Sequence, residues 1–202
     1  NLITQAKSVG MGVSELSTAF DTLNPDVVIT VADRFETIAT AIAASYMNIP
    51  LAHVQGGEVS GNIDDSVRHA ITKLAHLHYP STKKSAERII GMGEEAWRVT
   101  VTGCPSINIL TNTDLTLPKP EYFTETGTGC IFDSAAPYLL VSQHPVTTSF
   151  GQGAQQIFET LIAIKDIPIQ TVVLWPNPDA GSDDVAKEIR EFQNNNRGDV
   201  SF

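Results

Sequence analysis

The 202-residue sequence predicts an α/β protein built on parallel sheets. Three observations lead there. Short runs rich in β-branched residues alternate with stretches whose apolar side chains recur at helical spacing, which is the pattern of βαβ units. The candidate strands read as fully buried, as they do when helices cover both faces of a parallel sheet. Hydrophobic residues make up 42% of the chain against 18% charged, an ordinary globular balance that leaves no room for extensive disorder.

In chain order, "VSELSTAFDTL" (Val13 to Leu23) spaces its apolar residues as a helix until Pro25, and "DVVITVAD" follows as a buried strand. "ETIATAIAASYM" is helical, "PLAHVQ" a strand, "DDSVRHAITKLA" helical, "HLHYPST" a strand, "KKSAERII" helical and "WRVTVTG" a strand. Around "LPKPEYFTETGTG" the composition shifts to Pro, Gly, Thr and charge without periodicity. That shift divides the chain into a first unit over residues 1–117, a linker over 118–129 and a second unit over 130–202. The second unit restarts with the strand "YLLVSQH", the helix "GQGAQQIFETLIAI", the strand "IQTVVLWPN" and the helix "SDDVAKEIREFQN", stopped at "NNN". The chain opens on Asn1 in what reads as a helix and closes on "RGDVSF", which reads as the entry to a strand, so an excerpt of a longer protein is expected.

A net charge of -10 argues against a nucleic-acid backbone or an anionic membrane as the main partner, while leaving room for an anionic ligand at a locally positive site. Cys104 and Cys130, without a CxxC, fit neither a disulfide framework nor a zinc ribbon, and a reducing cytoplasm is expected. No apolar run reaches the roughly 18 residues of a membrane span, and the first ten residues lack the apolar core of a signal peptide.

Ligands of parallel α/β sheets collect at the carboxyl ends of the strands, beside helix N-termini. Every candidate here follows a strand. Asp33 and Arg34 follow "VVITVA", as an intraloop ion pair, a helix N-cap or a rim acid. Gln55, Gly56, Gly57, Glu58, Asp64 and Asp65 follow "PLAHV"; the glycines permit a sharp turn or close approach to a ligand. Asp64 is also a good cap for the next helix, and Arg68, four residues on, shares its face, so a surface ion pair is the plain alternative. Carboxylates crowded at one rim raise one another's pKa values, as proton transfer near neutral pH requires. His144, Pro145, Thr147, Thr148 and Ser149 open the loop after "YLLVSQ", a hydroxyl-rich anion site or a plain connection. His76 and His78 flank Leu77 at a spacing seen in metal sites but have no third ligand, and "GMGEEA" matches a dinucleotide fingerprint only in letters, since it follows a helix.

The block "ADRFETIATAIAASYMNIPLAHVQGGEVSGNIDDSVRHAITKLAHLHYPST", then "VTGCPSIN" and "VSQHPVTT", closely resembles the UDP-N-acetylglucosamine 2-epimerase family, in particular its hydrolysing branch, which releases UDP and N-acetylmannosamine for sialic acid and related nonulosonic acids. The resemblance implies a GT-B-like fold of two Rossmann-like domains, both incomplete in this chain. It implies catalytic roles for Asp33 (with Ala32 where Gly is usual), Asp64, Arg68 and His144; many relatives carry Glu at the position of Gln55, so either Glu58 supplies that carboxylate or an amide serves. Substrate contacts are then expected at Arg34, Gln55, Gly56, Gly57, Asp65, Thr147 and Thr148. The implied reaction is anti elimination of UDP with loss of the C2 proton, then hydration of the glucal. Arg68 and His144 would stabilise the departing diphosphate. The expected ligand is UDP-N-acetylglucosamine or a related nucleotide sugar, with no metal or other cofactor, in a cytoplasmic homodimer. Relatives are longer at both ends, so little activity is expected of this chain alone. The alternatives are a non-hydrolysing epimerase, a GT-B glycosyltransferase and a non-catalytic nucleotide-sugar-binding fragment.

Overall fold

A computed structural model describes residues 2–61, 63–116, 122, 125, 127–129, 131–146 and 149–196. The chain forms two compact units, Leu2–Asp114 and Leu115–Phe202. The first contains α1 (Leu2–Leu23), β1 (Val28–Val31), α2 (Phe35–Tyr46), β2 (Leu51–Val54), α3 (Ile63–Leu74), β3 (Leu77–Tyr79), α4 (Lys83–Gly91), a 3-10 turn at Ala96–Arg98 and α5 (Pro105–Thr111). Its three strands are parallel in the order β1-β2-β3. Thr30, His53 and His78 lie side by side in that register, on the same face as Val28 and Leu51.

Helices α1, α2 and α3 build the core on that face. Phe20 from α1, Ala41, Ala43 and Ala44 from α2, and Ile71 from α3 pack with Val28 and Leu51. The alanines let α2 sit between α1 and α3 without a bulky side chain to displace either neighbour. Full burial of Leu51 and Ile71 contributes about 1.5–3 kcal/mol each.

On the opposite face the expectation of a doubly covered sheet holds at β2, where Ala52 is buried, and fails at β1. Ile29 is 63% exposed and Val31 46%, so "DVVITVAD" is buried on alternate residues only. The cause is position: β1 is an edge strand, and α1–α3 cover only the Val28–Leu51 side. The expected strand "WRVTVTG" is likewise reduced to one parallel bridge, His78 to Val99. Thr100 N–H still donates to the His78 carbonyl at 2.9 Å and Thr102 N–H to the Pro80 carbonyl at 3.1 Å, so the segment follows β3 loosely, with Trp97 and Val101 exposed. Helix α5 was not expected; Pro105 at its start is a local signal for it.

In the second unit β4 (Tyr138–Val141) pairs in parallel with β5 (Gln170–Val173), and α6 (Gly153–Lys165) and α7 (Ser182–Asn195) cover one side. Ile157 and Leu161 on α6 meet Val185, Ile189 and Phe192 on α7 at i, i+4 and i+7 spacings, with Val173 beneath. Helix α7 ends within "NNN". Among the described residues no helix is long and apolar enough to cross a membrane.

Gly57 shows how tightly the β2–α3 loop is packed. Its φ is +77°, and a Cβ there would lie 2.3 Å from the Ser85 carbonyl oxygen on α4. Gly57→Ala is therefore expected to lower stability by roughly 2–4 kcal/mol, measured by urea denaturation; a loss below about 0.5 kcal/mol would contradict this packing.

Candidate functional site

The first strand ends in a turn that places Asp33. Ala32 N–H donates to the Val54 carbonyl at 2.9 Å as the last rung of the β1–β2 ladder, and Ala32 then adopts φ +61°. The next strand ends the same way, with Gln55 N–H on the Tyr79 carbonyl at 3.0 Å and φ +61° at Gln55. A left-handed non-glycine residue costs about 1–2 kcal/mol, so both turns are held by their surroundings.

Arg68 anchors the segment that follows each turn, through Asp33 after Ala32 and the Glu58 carbonyl after Gln55. Its guanidinium, 5% exposed, sits where α3 passes the ends of β1 and β2. Nη2 pairs with Asp33 Oδ2; Nη1 donates to Asp65 Oδ1 at 2.9 Å and to the Glu58 carbonyl at 2.8 Å. A charge so removed from water is tolerable only with such partners, and charge-assisted bonds of this kind are among the strongest in proteins. Burial lowers the Arg68 pKa from its ordinary value.

These contacts correct several expectations. Asp33 pairs with Arg68, and the cap position of α2 falls on the next residue. Arg34 occupies the cap position without a side-chain cap bond, and its guanidinium forks onto Glu36 at 3.2 Å. Arg68 is buried rather than part of a surface pair, and its i,i+3 partner is Asp65. Asp64 lies half-buried in the first turn of α3, where its charge complements the helix dipole.

Asp65 also reverses the expected effect of crowding. Burial pushes its carboxyl up, but the Ser60 amide at 2.7 Å, the Gly61 amide at 2.8 Å and the Ser60 hydroxyl at 2.9 Å, with His69 nearby, hold it below the usual range. It is an ionised anchor that ties the loop to α3. Gly56 and Gly57 are buried packing positions, and Arg88 Nη1 closes the loop by donating to the Gly57 carbonyl at 2.8 Å. Glu58 is half-buried, with its backbone carbonyl given to Arg68.

Three neighbours were not singled out from sequence. Gln55 Nε2 donates to Cys104 Sγ at 3.3 Å, and the Ile107 amide is the main influence holding the Cys104 thiol below its ordinary pKa. His53, fully buried on β2, faces the Ala32 carbonyl at 2.9 Å and the Thr72 hydroxyl at 3.2 Å. Burial pushes its pKa down to about 4 against the Ala32 hydrogen bond, with His78 and His69 adding to the fall. The only advance signal for His53 was a polar residue in an otherwise apolar strand.

Of the two histidines with metal-like spacing, His76 Nδ1 accepts the Leu51 amide at 3.2 Å, while His78 is buried with Nε2 3.4 Å from Glu94. Lys73 and His78 hold Glu94 below the usual carboxylate range against the opposing effect of burial. Among the described residues no group of three His, Cys, Asp or Glu side chains is placed to hold a metal ion.

In the second unit His144 follows β4 and is exposed. Its Nδ1 accepts the Asn177 amide, from the loop after β5, at 3.1 Å. The neutral ring therefore carries its proton on Nε2, a donor 3.5 Å from the Ser142 hydroxyl. Helix α6 begins nearby without a side-chain cap bond, which leaves amide donors in its first turn. Thr147 and Thr148 lie outside the described residues.

The family model described as UDP-N-acetylglucosamine 2-epimerase matches residues 2–199. The chain belongs to that family. A Legionella pneumophila UDP-N,N'-diacetylbacillosamine 2-epimerase (hydrolyzing) is 33% identical over 189 residues, 94% of this chain and 49% of that protein. A Campylobacter jejuni GDP/UDP-N,N'-diacetylbacillosamine 2-epimerase (hydrolyzing) is 40% identical over 111 residues, 54% of this chain and 29% of that protein. The chain thus spans about half the Legionella protein's length. Among solved structures, the Neisseria meningitidis UDP-GlcNAc 2-epimerase bound to UDP-GlcNAc superimposes with a TM-score of 0.76 at 20% identity, covering 95% of this chain and 52% of that one. The fold of this epimerase family member is therefore GT-B-like α/β with parallel sheets.

The environment of His53 has a measurable consequence. Its folded-state pKa of about 4 lies below the ordinary 6.5, so the unfolded chain binds more protons between these values and stability falls as pH drops through that window. The loss should reach about 3 kcal/mol, in urea titrations from pH 7 to pH 4. The depressed Asp65 carboxyl extends the decline below its ordinary 3.8. His53→Gln should flatten the upper window; an unchanged slope would contradict the assignment.

Proposed function

We propose that the protein acts on UDP-N-acetylglucosamine or a closely related UDP-sugar as a hydrolysing 2-epimerase, giving UDP and N-acetylmannosamine or its analogue. The observation that carries this reading is the buried Arg68 held by Asp33 and Asp65 at the ends of adjacent parallel strands, in a chain of this family. The hydrolysing outcome is supported by the Legionella and Campylobacter relatives, both hydrolysing 2-epimerases.

The C2 proton of the sugar is a weak acid and must leave as the C1–oxygen bond breaks. A carboxylate from the set Asp33, Glu58 and Asp64 takes it. The Arg68 charge is already engaged by Asp33 and Asp65 and is nearly sealed from solvent, so it fixes the carboxylates rather than meeting the diphosphate. Negative charge on the departing UDP then falls to the His144 Nε2–H donor and the amides that open α6. Water adds at C1 of the glucal while a second acid from the same set returns a proton to C2 from the other face. Gln55, tied to Cys104, positions the loop as an amide in place of an acid.

The test is incubation of the whole protein, at the length of its relatives, with UDP-N-acetylglucosamine in deuterated water, followed by NMR. The expected result is free UDP with deuterium at C2 of N-acetylmannosamine, and Asp64→Asn and Glu58→Gln should each lower kcat by about 100-fold or more. Labelled UDP-N-acetylmannosamine without UDP release would make the enzyme non-hydrolysing. Release of UDP with an unlabelled C2 would overturn the elimination chemistry.

A further inference from the structure

His53 touches neither carboxylate of the rim, yet its two hydrogen bonds end beside both halves of the Asp33–Arg68 pair. On one side is the carbonyl of Ala32, the residue before Asp33, at 2.9 Å from Nε2. On the other is the Thr72 hydroxyl, 3.2 Å from Nδ1, which also lies 3.0 Å from the carbonyl of Arg68 itself. The imidazole thus spans from the left-handed turn after β1 to the helical turn that carries Arg68. Its surroundings leave little freedom. The ring is fully buried, and a Cβ on Gly56 would come within 2.9 Å of Nδ1 and 3.2 Å of the Thr72 hydroxyl, so the loop after β2 packs directly onto this contact. A leucine would fill the same volume and offer neither bond.

We propose that His53 is a positioning residue: a neutral imidazole that donates from Nε2 to the Ala32 carbonyl and accepts at Nδ1 from the Thr72 hydroxyl, holding Asp33 and Arg68 at a fixed separation. Ala32 provides only an acceptor at this contact, so the ring proton must sit on Nε2. The groups that face the ring, His69 on α3 and His78 on β3, disfavour a second proton, and burial does so more strongly. The Thr72 proton is then shared between Nδ1 and the Arg68 carbonyl, which couples the strut to the backbone of α3. The bearing of this strut on catalysis rests on the epimerase reading above. Its existence does not, because it is read from side-chain order rather than turnover.

Two measurements on the 202-residue chain decide it. Two-bond nitrogen–proton correlation at pH 7 should show His53 as the neutral Nε2–H tautomer; the Nδ1–H tautomer or an imidazolium would overturn the proposal without any substitution. Solvent exchange of the Arg68 Nη protons should be about tenfold faster in Thr72→Val, as expected for one lost buried hydrogen bond, and unchanged in Thr72→Ser. A folded Thr72→Val chain with native exchange would overturn it. If that variant does not fold, the ring tautomer decides.

Discussion

A guanidinium taken almost wholly out of water must be surrounded by acceptors, and in this protein that requirement organises the rim of the first sheet. Arg68 draws Asp33 from the end of β1, the Glu58 carbonyl from the loop after β2, and Asp65 from its own helix. The end of β1 and the loop after β2 are thereby fixed to α3. Removing a partner leaves a buried charge exposed to an apolar surrounding, which typically costs about 3–5 kcal/mol. The strands turn into their loops at two left-handed residues, Ala32 and Gln55.

Beneath this charged layer lies a neutral one. His53 and Thr72 are buried without net charge, and their bonds run to the backbone on either side of the ion pair. Asp65 is saturated with donors, so its charge is stable and its geometry rigid. Glu58 meets Arg68 through its backbone carbonyl, and Asp64 stands half-buried in the first turn of α3. In the second unit His144 is similarly fixed by a backbone donor, Asn177 N–H, so that its free face is a hydrogen-bond donor.

Periodicity and turn chemistry made the α/β class legible, because strands and helices each carry a local signature. Helices α2, α3, α4, α6 and α7 and strands β1 to β5 all fall within stretches readable from residue spacing. What local pattern could not convey was coverage. "DVVITVAD" is apolar enough for a central strand, yet Ile29 and Val31 face outward, since burial is a property of the neighbours and not of the run. The rim followed the same rule. That Asp33, Asp64, Asp65 and Arg68 belong near strand ends follows from their places in βαβ units. The pairing of Asp33 with Arg68, 35 residues away, and of Arg68 with Asp65 at i,i+3 depends on side-chain directions that spacing alone leaves open. His53 was hidden for a related reason: its importance lies in backbone atoms it reaches across the sheet.

The most direct measurement of the buried pair is a double-mutant cycle on folding stability, with Asp33→Asn, Arg68→Met and their combination. A coupling energy of about 2–3 kcal/mol is the predicted result. A coupling below about 0.5 kcal/mol would mean that Arg68 and Asp33 do not depend on one another, and the rim would need a different organising contact.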